Sequence, residues 1–261
     1  MNTVSLWDNV PGMCKEIPVL EYYPTSNKRT RATVIIYPGG GYGLRASGHE
    51  GAGYAEYFNS LGMDAFVCEY RISPHRFPLP LLDARRAVRY VRANADKFGI
   101  DPDRIAVMGS SAGGHLAALT STYISPIEFE GIDEIDDVSY LPNTTILCYP
   151  VICSPDTGVA HTGSFCNLLG EDRHLTAAGY SCDRLVNETT PDAFIWHTSN
   201  DDVVNVINSI NYGAALRKLG KRFEMHIFPE GRHGLGLAAD IPHVAQWAVL
   251  MKNWLADKCW L

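Results

Sequence analysis

Short apolar runs rich in β-branched residues alternate along most of the chain with longer stretches whose apolar positions recur at helical spacing. Ile17 to Tyr23 predicts a first strand. Ala32-Thr33-Val34-Ile35-Ile36-Tyr37 predicts a buried one, closed by Pro38 and three glycines. Asp64 to Tyr70, Arg104 to Gly109, Thr144 to Tyr149, Ala193 to His197 and Phe223 to Phe228 read the same way. Glu50 to Leu61 has helical spacing, with Tyr54, Phe58 and Leu61 on one face and Gly62 as its stop. Leu79 to Phe98 predicts a long helix, its Leu82, Val88, Val91 and Phe98 inward and its Arg85, Arg86, Arg89 and Arg92 outward. Further helices are expected from Ala112 to Thr122, from Val203 to Leu219 before Gly220, and from Ile241 to Ala256 with Trp247, Leu250 and Trp254 inward. This alternation predicts an α/β fold, a mostly parallel twisted sheet with helices on both faces.

Two stretches break the alternation. Tyr123 to Asn143 is acidic and weakly patterned, carrying Glu128, Glu130, Asp133, Glu134, Asp136 and Asp137. Ser154 to Pro191 is long and rich in turn residues. Loops of that length in a compact domain are functional or carry small elements of their own, so 154–191 is expected to be an insertion bordering a pocket. No repeat, low-complexity tract or linker divides the chain, and residues 1–261 read as one domain. The net charge of -7 argues against a binder of nucleic-acid backbone, which needs a basic face, and favours an uncharged substrate. The N-terminus has no basic segment followed by an apolar run, and no apolar stretch approaches the roughly 20 residues that span a bilayer. The 7 cysteines are scattered without a CxxC pair, and Cys68 and Cys148 sit inside apolar runs. Reduced thiols in a cytoplasmic protein without membrane contact are therefore expected.

Candidate chemistry lies where strands end. Gly109-Ser110-Ser111-Ala112-Gly113 matches G-x-S-x-G between a predicted strand and a predicted helix, the context of a nucleophile elbow. A Gly/Ser turn can also serve only to cap a helix, but the preceding apolar strand favours Ser111 as a nucleophile facing a helix N-terminus. Ser110 is taken as structural. In an α/β-hydrolase the acid and then the base follow the serine in chain order. His233, in the loop Glu230-Gly231-Arg232-His233-Gly234-Leu235-Gly236 after the last strand, is the expected base, while His226 lies within the strand itself. Asp201 and Asp202 follow the preceding strand. One is expected to orient the imidazole and the other to cap the next helix. Backbone N–H groups of Gly40 or Gly41, with that of Ala112, are the expected oxyanion donors, each worth roughly 3 kcal/mol to a transition state. No G-x-G-x-x-G accompanies the glycine loop. His115 is read as structural, and the other histidines lack metal-ligand spacing, so neither a metal nor a cofactor is expected.

With Pro38-Gly39-Gly40-Gly41-Tyr42, Gly109-Ser110-Ser111-Ala112-Gly113-Gly114-His115-Leu116, His197-Thr198 before Asp201, and His233-Gly234-Leu235-Gly236 in place, the chain resembles the small bacterial α/β-hydrolases that act as acetyl xylan esterases or carbohydrate acetyl and feruloyl esterases. The likeness runs over nearly the whole chain and includes Tyr70-Arg71, Asp101-Pro102-Asp103-Arg104-Ile105 and Asn167-Leu168-Leu169-Gly170. In similar proteins the acid precedes Val-Pro and then an Asn-Ser helix. Asp201, followed by Val203 and then by Asn208-Ser209, occupies that place, with Asp202 as the alternative. Asn205 stands where the family has proline, and Pro38 replaces the histidine of the HGGG loop, a variant the group also has. The resemblance implies removal of acetyl groups from acetylated carbohydrates such as xylo-oligosaccharides taken into the cytoplasm. It implies a small-molecule or oligosaccharide ester as partner and no cofactor, and it is compatible with a monomer or a homo-oligomer. Tyr42, Arg45, Glu50 and the 154–191 segment are candidates to line the pocket. Feruloyl esterase, aryl formamidase and exopeptidase-type amidase use the same triad, and a ligand receptor uses the same fold without it.

Overall fold

Among the described residues eight strands form one sheet: β1 (Asn2–Ser5), β2 (Val19–Tyr23), β3 (Thr33–Tyr37), β4 (Asp64–Glu69), β5 (Ile105–Ser110), β6 (Thr144–Cys148), β7 (Ala193–Thr198) and β8 (Phe223–Phe228). The computed structural model describes residues 2–9, 17–170 and 177–261; Cys14 and His174 lie outside them. The strand order is β1-β2-β4-β3-β5-β6-β7-β8. β2 runs antiparallel to β1 and β4, and every other pair is parallel. β3, β5, β6 and β7 are buried at every position, as parallel strands covered on both faces must be. The edge strand β8 is mostly half-exposed.

The sheet divides the core in two, and the period of two along each strand sorts side chains between the halves. Ile35 and Tyr37 of β3 pack with α2 (Leu79–Ala93), α4 (Ser111–Thr122), α5 (Thr162–Leu169) and α7 (Ile207–Lys218). Val34 and Ile36 pack on the other side with α1 (Gly53–Ser60) and α8 (Pro242–Asp257), where Trp196 stacks on Trp247 at 4.9 Å between centroids. A short α3 (Ala95–Phe98) and α6 (Cys182–Leu185) complete the helices described. Because β3, β5, β7 and β8 are parallel, the loops that follow them open on one edge of the sheet, where ligands bind in folds of this kind.

Several boundaries differ from the sequence expectation. β1 was not anticipated; its four residues are too few to set up an alternation. A π-helical turn at Ser47–Ala52 precedes α1. The expected long helix breaks at Asn94 into α2 and α3. α7 begins at Ile207 rather than Val203, because Asp201 and Asn205 side chains take up the N–H groups of Val203, Val204 and Ile207.

The arginine row of α2 needs a larger correction. Its members point away from the sheet, yet Arg85, Arg86 and Arg89 are 0%, 2% and 9% exposed. The acidic stretch from 123 to 143 lies over them. Glu130 pairs with Arg85 at 2.9 Å and with Arg89 at 3.0 Å, and Asp136 pairs with Arg86 at 3.0 Å. Asp133 adds two further bonds to Arg86. Arg92 donates to the carbonyls of Pro102 and Leu141. The acidic segment is a fitted cover whose charges pair with Arg85, Arg86 and Arg89.

A second buried pair ties the N-terminal half together. Asp83 accepts the Arg71 backbone N–H and two guanidinium bonds at 2.8 and 2.6 Å, and it also accepts the Trp7 indole N–H. Both side chains are fully buried. Removing one partner of such a pair exposes the full desolvation penalty of the other. Asp83→Ala is therefore expected to lower unfolding free energy by about 3–5 kcal/mol, read by urea denaturation; a loss below about 1 kcal/mol would contradict this account of the pair.

Candidate active site

β5 delivers Ser111 into a turn whose strain is visible in its backbone, with φ at +54°. α4 starts at that residue. The strand and helix approach so closely that a Cβ on Gly109 would stand 2.0 Å from the Gly113 carbonyl oxygen, and one on Gly113 would stand 2.0 Å from that of Tyr37. The small residues of G-x-S-x-G are thus a packing requirement of the turn. Ser110 points elsewhere, its hydroxyl 2.9 Å from the Tyr54 hydroxyl. The Ala112 N–H, in the first turn of α4, has no partner within the helix.

His233 Nε2 lies 2.8 Å from Ser111 Oγ, and His233 Nδ1 lies 2.7 Å from Asp201 Oδ2. A carboxylate beside Nδ1 fixes the proton there, which leaves Nε2 as the acceptor of the serine proton. Asp201 takes the first job expected of the aspartate pair, while capping falls to neither, because α7 begins at Ile207, whose N–H goes to the Asn205 side chain. Asp201 Oδ2 holds the imidazole, while its Oδ1 accepts the N–H groups of Val203 and Val204, each at 2.9 Å. Asp202 is exposed. Burial pushes the Asp201 carboxyl pKa up, but hydrogen bonds from His197, His233 and the Val204 N–H overcome it and hold the group well below the usual carboxylate range. His197 is itself fixed: Nε2 donates to the Val204 carbonyl at 2.9 Å, and Nδ1 faces the Ser209 hydroxyl at 2.8 Å. His197-Thr198 before Asp201 is part of the family likeness, but that likeness assigns His197 no role.

The glycine loop lies against the serine. A Cβ on Gly39 would come 3.1 Å from the Ser111 Cβ. The Gly39 N–H donates to Glu50 Oε2 at 2.8 Å. Its carbonyls are all engaged: Gly39 with Ala46 N–H, Gly40 with Gly43 and Leu44 N–H, and Gly41 with the Asn167 side chain. The N–H groups of Gly40 and Gly41 have no partner among the described residues. Gly40 takes φ +127°, a conformation open to glycine and costly for other residues.

The three pocket candidates are each held by other residues of the chain. Tyr42 is 1% exposed, and its hydroxyl donates to His115 Nδ1 at 2.8 Å. His115 Nε2 in turn donates to the Tyr180 carbonyl, and burial pushes this imidazole's pKa down to about 4. Arg45 is spent on Glu69 at 2.6 Å and the Tyr70 carbonyl at 2.7 Å. Glu50, 3% exposed, accepts the Gly39 N–H and the Tyr149 hydroxyl. All three follow the glycine loop in the chain, and adjacency in sequence says nothing of which way a side chain faces.

The segment from 154 to 191 supplies a 3₁₀ turn (Pro155–Thr157), α5 and α6, with residues 171–176 outside those described. It touches the glycine loop through Asn167 and through His161, whose Cε1 lies 3.9 Å from the Cβ position of Gly41. His161 Nδ1 accepts the Ser164 N–H as the cap of α5. Burial and the neighbouring His233 lower its pKa. Among the described residues no cluster of three or more metal-ligating side chains occurs, and no helix is long and apolar enough to cross a membrane.

The chain has relatives of known name. The BD-FAE family model matches residues 21–146 and the prolyl oligopeptidase family model matches residues 169–258. The crystal structure of an acetyl ester-xyloside bifunctional hydrolase from Caldicellulosiruptor lactoaceticus is 41% identical, with TM-score 0.91 over 100% of this chain and 97% of that one. The endo-1,4-β-xylanase B of Butyrivibrio fibrisolvens is 38% identical over 232 residues, 86% of this chain and 35% of that protein. The acetylxylan esterase of Xylanibacter ruminicola is 35% identical over 234 residues, 88% of this chain and 46% of that protein. The chain thus spans less than half the length of these two curated relatives.

Proposed function

The chain belongs to the α/β-hydrolase family of esterases that includes the acetyl ester-xyloside hydrolase of Caldicellulosiruptor lactoaceticus, and on that footing we propose that it is a serine carboxylesterase removing acetyl groups from acetylated carbohydrates, xylo-oligosaccharides foremost. The observation that carries this reading is the unbroken line from Ser111 Oγ through His233 to Asp201, at 2.8 and 2.7 Å, beneath a glycine loop with two unengaged N–H groups. In the proposed cycle His233 Nε2 takes the Ser111 proton as Oγ attacks the ester carbonyl. The N–H groups of Gly40, Gly41 and Ala112 receive the oxyanion. Asp201 stabilises the imidazolium, which then protonates the departing sugar oxygen. Water, deprotonated by His233, attacks the acetyl-Ser111 ester, and as acetate leaves the imidazolium returns that proton to Ser111 Oγ. Side chains and water complete the cycle.

Residues 1–261 are taken as one such domain, in the cytoplasm; the buried free thiols of Cys68, Cys148, Cys153 and Cys182 suit a reducing compartment. The deciding experiment offers acetylated and feruloylated xylo-oligosaccharides side by side with a formanilide and an aminoacyl anilide. Acetate release is expected to dominate in kcat/KM. Faster ferulate release or faster amide cleavage would replace this reading with the corresponding esterase or amidase.

A further inference from the structure

Glu50 is a buried carboxylate that the cycle above does not use. It sits in the π-helical turn before α1, 3% exposed, and its only ion-pair contact among the described residues is with exposed His49 at 3.7 Å. Burying a carboxylate without a close cation is costly unless hydrogen bonds satisfy its oxygens. The bonds that do so here come from the loops around Ser111. Oε2 accepts the Gly39 N–H at 2.8 Å, and Oε1 accepts the Tyr149 hydroxyl at 2.7 Å. The Tyr149 oxygen accepts the Gly236 N–H at 2.9 Å, three residues beyond His233. The Tyr149 ring stands against the His233 ring, centroids 5.1 Å apart at 70°. Tyr54 joins the network to the elbow, its hydroxyl 3.3 Å from that of Tyr149 and 2.9 Å from that of Ser110.

We infer that Glu50, acting through Tyr149, is a positioning residue that sets the oxyanion loop and the His233 loop relative to Ser111. By taking the Gly39 N–H it also decides which amides remain for the oxyanion, namely those of Gly40 and Gly41. Such a brace matters most when charge develops, because donors help only when they already point at the place the oxyanion will occupy. The inference rests on Ser111 being the nucleophile.

The test measures kcat and KM for p-nitrophenyl acetate, with melting temperature, in Glu50→Ala, Glu50→Gln, Tyr149→Phe and Glu50→Ala/Tyr149→Phe. Glu50→Ala is expected to lower kcat about 100-fold, the scale of one lost oxyanion donor, with KM nearly unchanged. Glu50→Gln keeps an oxygen for the Gly39 N–H and is expected to recover most of the loss. Tyr149→Phe is expected to lower kcat about tenfold, and the double variant should be little worse than Glu50→Ala alone, since the two act as one unit. Wild-type kcat in Glu50→Ala, no rescue by glutamine, or fully additive losses would each overturn the inference. If Glu50→Ala does not fold, Glu50→Gln and Tyr149→Phe, which keep the side-chain volume, decide through kcat against KM. Ser111→Ala run alongside separates the two failures: an active Ser111→Ala overturns the nucleophile and with it this inference, whereas an inactive Ser111→Ala beside a fully active Glu50→Ala overturns this inference alone.

Discussion

Ser111→Ala is expected to lower kcat for p-nitrophenyl acetate by about 10⁴–10⁶-fold, the range found when a triad serine is removed, while the melting temperature stays within about 3 °C. The small structural effect follows from the site. Among the described residues the hydroxyl bonds only to His233, and alanine meets the same steric demand as serine at φ +54°. What activity survives comes from the oxyanion donors and binding alone. Ser110→Ala is the comparison; its hydroxyl is held at Tyr54 and not at His233, so its loss of activity should be far smaller than that of Ser111→Ala. Ser111→Ala retaining more than about 1% of wild-type kcat would contradict the assignment.

Asp201→Asn is expected to lower kcat by about 10⁴-fold, because an amide no longer dictates which imidazole nitrogen carries the proton. Asp202→Asn should leave kcat close to wild type, since Asp202 is exposed. Equal losses in the two variants would mean that the geometry at Asp201 is not the working one. Asp201 also links stability to pH. Its folded pKa lies below the unfolded value of about 3.9, so ionised Asp201 stabilises the fold above that pH, and this contribution is lost as pH falls below about 4. Melting temperature followed downward from pH 5 should drop more steeply in wild type than in Asp201→Asn.

The parallel strands were legible in the sequence as continuous apolar runs, and the residues ending them follow from that. Ser111, Asp201 and His233 are far apart in the chain and meet because β5, β7 and β8 end on one edge. Local orientation was not legible. Asp201 and Asp202 are adjacent in sequence, and only the turn after β7 decides which carboxylate points inward. That the second oxygen of Asp201 holds the loop N–H groups of Val203 and Val204, and that neither aspartate caps α7, are things residue spacing cannot express. The α2 arginines illustrate the same gap: their helical period puts them off the sheet face, but whether solvent or an acidic loop meets them there is a tertiary matter. The charges of Glu130, Asp133 and Asp136 were the available signal, and they read as a solvated loop until their partners were known. Tyr149 and His161 carry no motif, and His197 enters the sequence reading of the site only through the likeness of His197-Thr198. They come to the site through the crossing of strands and loops.

Covalent trapping tests the central claim most directly. The protein is treated with a fluorophosphonate, its intact mass is measured, and the adduct is mapped by peptide sequencing while acetyl-ester hydrolysis is followed in parallel. The account predicts one adduct per chain, on Ser111, with activity lost in proportion to labelling. Full activity with Ser111 labelled, or inactivation with the adduct on another residue, would contradict it.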